Sequence, residues 1–187
     1  MKSQTIFLIG GDSVWNDVFL LQKSFDYYIS NSTMELDQNF KEFVELLNRH
    51  KVEYLIVGGY AVIVHGYPRS TGDLDVWINP TISNAKKVLR VLKEFGFGGL
   101  KITEKDLTTK GTILQFGYVP LRIDVLTAIE GIEFASAFPR KFTKRFSGNI
   151  IHFISKKDLT VNKAQVGRHQ DLADLERLTE KKRKKTH

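Results

Sequence analysis

The sequence predicts one soluble globular domain that combines helices with strands. Three observations carry this. The length is 187 residues, with 42% apolar and 26% charged side chains, the proportions of a chain with a real core. Apolar residues recur at helical spacing in some segments and alternate or run short in others. Gly, Asn and Pro punctuate the boundaries between them. Thirteen Phe supply bulky core material. No apolar run reaches the ~18–20 residues that span a bilayer, and Ile6 to Gly11 is too short and too poorly flanked for a signal peptide. With no cysteine, disulfides, thiolate zinc sites and a Cys nucleophile are excluded. A cytoplasmic address and no membrane association are the expectation.

Residues 1–33 read as an appendage. Their apolar clusters have no clean period, and they end in the polar stretch Ser30-Asn31-Ser32-Thr33. From Met34 the pattern becomes regular, so a chain beginning there is expected to fold. Phe40, Phe43, Val44 and Leu47 fall at i, i+3, i+4 and i+7, which predicts an amphipathic helix over 37–50. Tyr54 to Val57 reads as a buried strand halted by Gly58-Gly59, and Tyr60 to Val64 as a short helix. Asp73 to Ile78 starts by alternating polar with apolar and closes at Asn79-Pro80, a strand. Ala85, Val88, Leu89, Leu92 and Phe95 mark a second amphipathic helix, ended by Gly96. Thr112 to Tyr118 and Leu121 to Leu126 read as a hairpin across Val119-Pro120. Ile150 to Ile154 is a further strand. Ser155-Lys156-Lys157-Asp158 has the form of a capping box opening a helix. A last helix starts near His169, its apolar positions being Leu172, Leu175 and Leu178.

Charge is uneven. The formal net charge is +7, and residues 140–187 carry more than all of it. The run Lys181-Lys182-Arg183-Lys184-Lys185 reads first as a solvated tail, since no aromatic residues interleave it to stack bases. Attraction of nucleic acid is the functional alternative.

The chemistry concentrates in Val57-Gly58-Gly59 and Asp73-Leu74-Asp75-Val76. Side chains alternate along a strand, so Asp73 and Asp75 share a face while Leu74 and Val76 enter the core. Two carboxylates side by side repel, a cost that a cation between them removes. Hard divalent ions are held by one or two carboxylates plus phosphate oxygens. A strand–GlyGly–helix junction presents backbone N–H groups to a phosphate. Asp124, between Ile123 and Val125, would join the same cluster if its strand lies beside Asp73–Asp75, and three carboxylates can hold two Mg²⁺ ions.

Val57-Gly58-Gly59, Asp73-Leu74-Asp75 and Ile123-Asp124-Val125 resemble the signature of the DNA polymerase β-like nucleotidyltransferase superfamily. The longer string through Tyr60-Ala61-Val62, His65-Gly66 and Arg69-Ser70-Thr71 is similar to its small bacterial members: minimal nucleotidyltransferases of toxin–antitoxin pairs, AbiEii-type abortive-infection proteins and lincosamide nucleotidyltransferases. Asn162-Lys163, Gly167-Arg168 and Asp171-Leu172-Ala173-Asp174-Leu175 resemble the ending of the same group. The likeness spans about residues 37–180.

The resemblance implies an α+β fold with a mixed sheet and helices packed on it. It makes residues 34–180 a nucleotidyltransferase domain, with 1–33 an N-terminal appendage and 181–187 a basic tail. It implies transfer of a nucleoside monophosphate from an NTP with Mg²⁺, two ions in number. Asp73, Asp75 and Asp124 would be the metal-binding and catalytic residues, Asp124 also accepting the proton of the acceptor hydroxyl. Gly58, Gly59, Arg69 and Lys163 would bind the nucleotide. Where many members have Gly-Ser, this chain has Gly-Gly followed by Tyr60, so backbone N–H groups alone would serve the phosphates there. His65 reads as structural, and Arg168 with Asp171 as a helix-surface pair. The acceptor stays open among an RNA end, a protein side chain and a small-molecule hydroxyl, and a protein partner is expected of a toxin–antitoxin component. The competing readings are a non-catalytic, antitoxin-like binding subunit and a nucleic-acid-binding module.

Overall fold

A computed structural model describes residues 4–8, 37–118, 121–146 and 148–180. Its strands are β1 (Gln4–Leu8), β2 (Tyr54–Ile56), β3 (Asp73–Ile78), β4 (Thr112–Phe116), β5 (Arg122–Leu126), β6 (Phe142–Phe146) and β7 (Asn149–Phe153). They form one sheet in the order β1-β4-β5-β3-β2-β7-β6. The sheet is mixed: β1–β4, β5–β3 and β2–β7 are parallel, and the other neighbours are antiparallel. Helices α1 (Gln38–Arg49), α2 (Gly58–Val64), α3 (Ile82–Leu92), α4 (Glu104–Thr108), α5 (Phe134–Ala137), α6 (Lys156–Val166) and α7 (His169–Thr179) complete an α+β architecture, as expected. Among the described residues, no helix is long and apolar enough to cross a membrane.

α1 forms because its apolar residues lie on one stripe. Asp37 caps it, accepting the Asn39 N–H at 2.8 Å. Phe40, Phe43, Val44, Leu46 and Leu47 are buried, and Phe43 meets Phe95 edge-on at 5.0 Å. Burying a side chain of this size contributes about 1.5–3 kcal/mol. α3 starts at Thr81, whose hydroxyl accepts the Asn84 N–H. The buried Asn84 side chain bonds Glu53 and Asn79 on the adjoining turns, which ties α3 to the entry of β2. The helix is regular only to Leu92. A wider π-type turn over Lys93–Phe97 follows, and Gly96 leaves it at φ 99°, a left-handed conformation that suits glycine.

Three elements had no sequence signal: α4, α5 and β6. The first two are under two turns long, and β6 (Phe-Thr-Lys-Arg-Phe) is exposed at the sheet edge, where burial imposes no alternation. The strand Gln4–Leu8 lies within the segment read as an appendage and extends the sheet beside β4. The remainder of residues 1–33, the Val119-Pro120 turn and the tail 181–187 lie outside the described residues.

The inward face of α7 departs from expectation. Leu172 is 49% exposed, while Asp171, Asp174 and Leu178 are buried. Leu178 lies on this face as its spacing suggests, and the acids join it because they have cationic partners on other elements.

Candidate active site

β3 and β5 build the centre of the site. They run parallel, with Asp75 opposite Asp124 and Asp73 opposite Arg122. Leu74, Val76, Ile123 and Val125 are buried, and the alternation turns Asp73, Asp75 and Asp124 to the other face. One carboxylate oxygen from each acid lies within 4.8 Å of the other two. Asp124 is 5% exposed; Asp73 and Asp75 are half-buried. Trp77 continues that face, buried and edge-on to Phe134 at 5.1 Å.

This grouping is electrostatically costly, and Asp75 registers the cost. Burial, and then the charges of Asp73 and Asp124, push its carboxyl up to about 7, against the opposing pull of Lys163 and Arg122. Arg122 is the part that sequence reasoning missed. Its Nε donates to Asp124 Oδ1 at 2.7 Å, and its Nη2 donates to Asp124 Oδ2 at 2.9 Å and Asp73 Oδ2 at 2.8 Å. Burial opposes the guanidinium's charge, but these carboxylates outweigh that and hold it charged. Gln115 Nε2 adds a bond to Asp124 Oδ2 at 3.0 Å, and the Thr71 hydroxyl one to Asp73 Oδ1 at 3.0 Å. A period-of-two reading of Arg122-Ile123-Asp124 would have put Arg122 on the acid face.

The glycine pair sits directly against these groups. Gly58 has φ +57° and opens α2; a Cβ there would overlap Asp75 Oδ2. A Cβ on Gly59 would overlap the Thr71 hydroxyl and stand 3.2 Å from Arg69 Nη2. Both glycines are therefore required by close approach, and at Gly58 by backbone conformation too. Val57 offers no side-chain cap to the helix that follows.

The predicted phosphate-binding cations are drawn to the same side. Arg69 Nη1 pairs with Asp174 Oδ2 at 2.7 Å. Lys163 is buried, donates to Asp171 Oδ1 at 2.7 Å and forms an ion pair with Asp174 Oδ2 at 3.1 Å. Asp171 is thus not the surface partner of Arg168: it faces inward, and Arg168 is the exposed residue capping α7. Asp171 Oδ2 and Trp77 Nε1 are buried without a hydrogen-bond partner among the described residues. His65 is structural, as expected: its Nε2 meets the Ile154 carbonyl at 2.9 Å and its ring lies 5.4 Å from Phe142. Burial lowers its tendency to protonate.

Three hard oxygen donors converging on one point suit a divalent ion such as Mg²⁺. Among the described residues they are the one group of three or more acids or histidines placed so that it could hold such an ion. A mixed sheet that presents two acids from one strand and a third from its parallel neighbour, beside a glycine turn, fits a nucleotidyltransferase-type fold. The comparisons agree. The chain belongs to the family described as nucleotidyltransferase of unknown function (DUF6036), whose model matches residues 32–181. In structure it is similar to a Thermotoga maritima protein described as a candidate nucleotidyltransferase. That likeness covers 74% of this chain and 88% of the other, at a TM-score of 0.51 and 14% identity, and so speaks to the fold. No curated protein matches the chain in sequence.

Proposed function

We propose that this protein transfers a nucleoside monophosphate from an NTP to an acceptor hydroxyl. The observation that carries the reading is the convergence of Asp73, Asp75 and Asp124 beside Gly58–Gly59 in a chain of this family. Magnesium, as two ions held by the three acids, would supply neutralisation of the triphosphate and activation of the acceptor oxygen. The backbone N–H groups of the glycine turn, with Arg69 and Lys163, bind the phosphates. The acceptor oxygen attacks the α-phosphorus, the bond to the bridging oxygen breaks, and pyrophosphate leaves. Asp124 takes the acceptor proton, which requires Arg122 to release one of the two oxygens it holds. The acceptor is an RNA end, a protein side chain or a small-molecule hydroxyl. The resemblance to toxin–antitoxin and abortive-infection proteins supports a role in such a system, with a protein partner.

The test is incubation of the protein with each α-labelled NTP and Mg²⁺ in a cell lysate. Label on one lysate component, absent with Asp73→Asn, is the expected result. If the wild type labels nothing and does not bind Mg²⁺-NTP, the reading fails. The second reading, a non-catalytic binding subunit, then takes its place. It is favoured by one observation, that Arg122 engages both oxygens of Asp124.

A further inference from the structure

α7 turns two carboxylates inward, and buried carboxylates are costly unless paired. Asp174, 2% exposed, receives two cations on a single oxygen, Oδ2: Arg69 Nη1 at 2.7 Å and Lys163 Nζ at 3.1 Å. The cations come from the segment before β3 and from α6, which are far apart in sequence. Asp171 Oδ1 takes a second Lys163 bond at 2.7 Å. Gln170, with its amide oxygen turned to the guanidinium, accepts from Arg69 Nη1 and Nη2 at 3.2 and 2.9 Å. One helix thus gathers two cations that would otherwise repel each other.

Their place matters. Arg69 Nη2 lies 3.2 Å from where a Gly59 side chain would begin. α6, which carries the buried Lys163, packs against α2, the helix that Gly58 opens. Lys163 gives one of its three N–H donors to Asp171 and stands in ion-pair contact with Asp174, so it keeps donors to give. Neutralising both cations within the protein would not by itself require a position beside the glycine turn and the acid cluster.

We propose that Asp174 is a positioning residue for the triphosphate: its Oδ2 locks Arg69 and Lys163 together beside Gly58–Gly59, where their remaining donors meet the phosphates. Asp174 acts through these cations and does not touch the nucleotide. The proposal rests on the nucleotidyltransferase reading above and adds that α7 completes the phosphate site.

Binding of each of the four NTPs and the matching NMPs, with Mg²⁺, is measured by calorimetry on the full chain. The wild type is expected to prefer triphosphate to monophosphate. Asp174→Asn keeps the shape and an acceptor atom but loses the charge. Its NTP affinity is expected to fall tenfold or more and its NMP affinity less than threefold, so the preference shrinks. An unchanged NTP-to-NMP ratio in a folded Asp174→Asn, whatever its melting temperature, would overturn the proposal. Should Asp174→Asn not fold, the charge-balanced pair Arg69→Gln/Asp174→Asn is compared with Arg69→Gln alone. The pair is expected to bind NTP at least threefold more weakly, because Lys163 also loses its anchor; equal affinity overturns the proposal. A wild type with no preference for triphosphate fails the nucleotidyltransferase reading itself and this inference with it.

Discussion

Replacing Arg122 with Met isolates what the guanidinium does for the acid cluster. At 4.8 Å, the span that holds the three carboxylate oxygens, two like charges at an effective dielectric of 20 repel by about 3.5 kcal/mol. Three ionised acids cannot tolerate this without a counter-charge, and Arg122 supplies one through three bonds of 2.7–2.9 Å. Breaking a buried ion pair costs about 3–5 kcal/mol. The low end applies, because the Arg122 and Asp73 side chains keep 27% and 31% of their surface exposed. A loss of about 3 kcal/mol lowers the melting temperature by roughly 6–12 °C in a chain of this size. The loss depends on pH in a fixed direction. An acid whose folded pKa is raised binds protons that the unfolded chain has released, so the folded state weakens as pH climbs from about 4 through the folded value. In the wild type that window closes near 7, where Asp75 titrates. Without Arg122, Asp75 loses one of the two charges that pull it down and rises further, so the deficit of Arg122→Met grows from pH 5 to pH 8. Mg²⁺, which no longer competes with a resident cation, should then stabilise the variant more than it stabilises the wild type. Melting curves at pH 5 and pH 8, with and without Mg²⁺, decide the matter. A deficit equal at both pH values, or one that Mg²⁺ leaves untouched, would refute the reasoning.

Asp75→Asn removes the most strained charge in the cluster, so in the absence of metal it should melt higher than the wild type at pH 8 and lose that advantage at pH 5. Its NTP-dependent labelling should fall by orders of magnitude. Gly58→Ala places a methyl where Asp75 Oδ2 lies and strains a positive φ. It should cost more than the ~1 kcal/mol of an ordinary Gly-to-Ala conflict in a denaturant titration and abolish Mg²⁺-NTP stabilisation. A chain starting at Met34 should still melt cooperatively, at a reduced temperature because β4 loses its parallel neighbour; an aggregated product would show that residues 1–33 complete the core.

Local pattern made most of the centre legible. Asp73-Leu74-Asp75 could be read because alternation assigns faces within a strand whatever it pairs with, and Asp124 stood out between two apolar neighbours. The register that sets Asp75 opposite Asp124 was not legible, since it depends on how β3 and β5 meet across a long crossover. The roles of Asp171 and Asp174 were hidden for the same reason: their partners, Lys163 and Arg69, lie on other elements. Leucine spacing marked only part of the inward face: Leu178 is buried there, while the paired carboxylates take the place that Leu172 leaves. Arg122 was within reach, two residues before an acid already singled out. β6 had no pattern to read, as exposed edge residues answer to no core.

The position of Arg122 also bears on the order in which the protein assembles. Arg122 and Asp73 are 49 residues apart, so bringing β3 and β5 together carries the entropic cost of closing a long crossover. β5 brings the third repelling acid to the sheet, but it carries the neutralising guanidinium on the same face, two positions earlier. Attraction and repulsion therefore arrive on one strand in one event. Docking of β5 thus never sets three unneutralised carboxylates side by side.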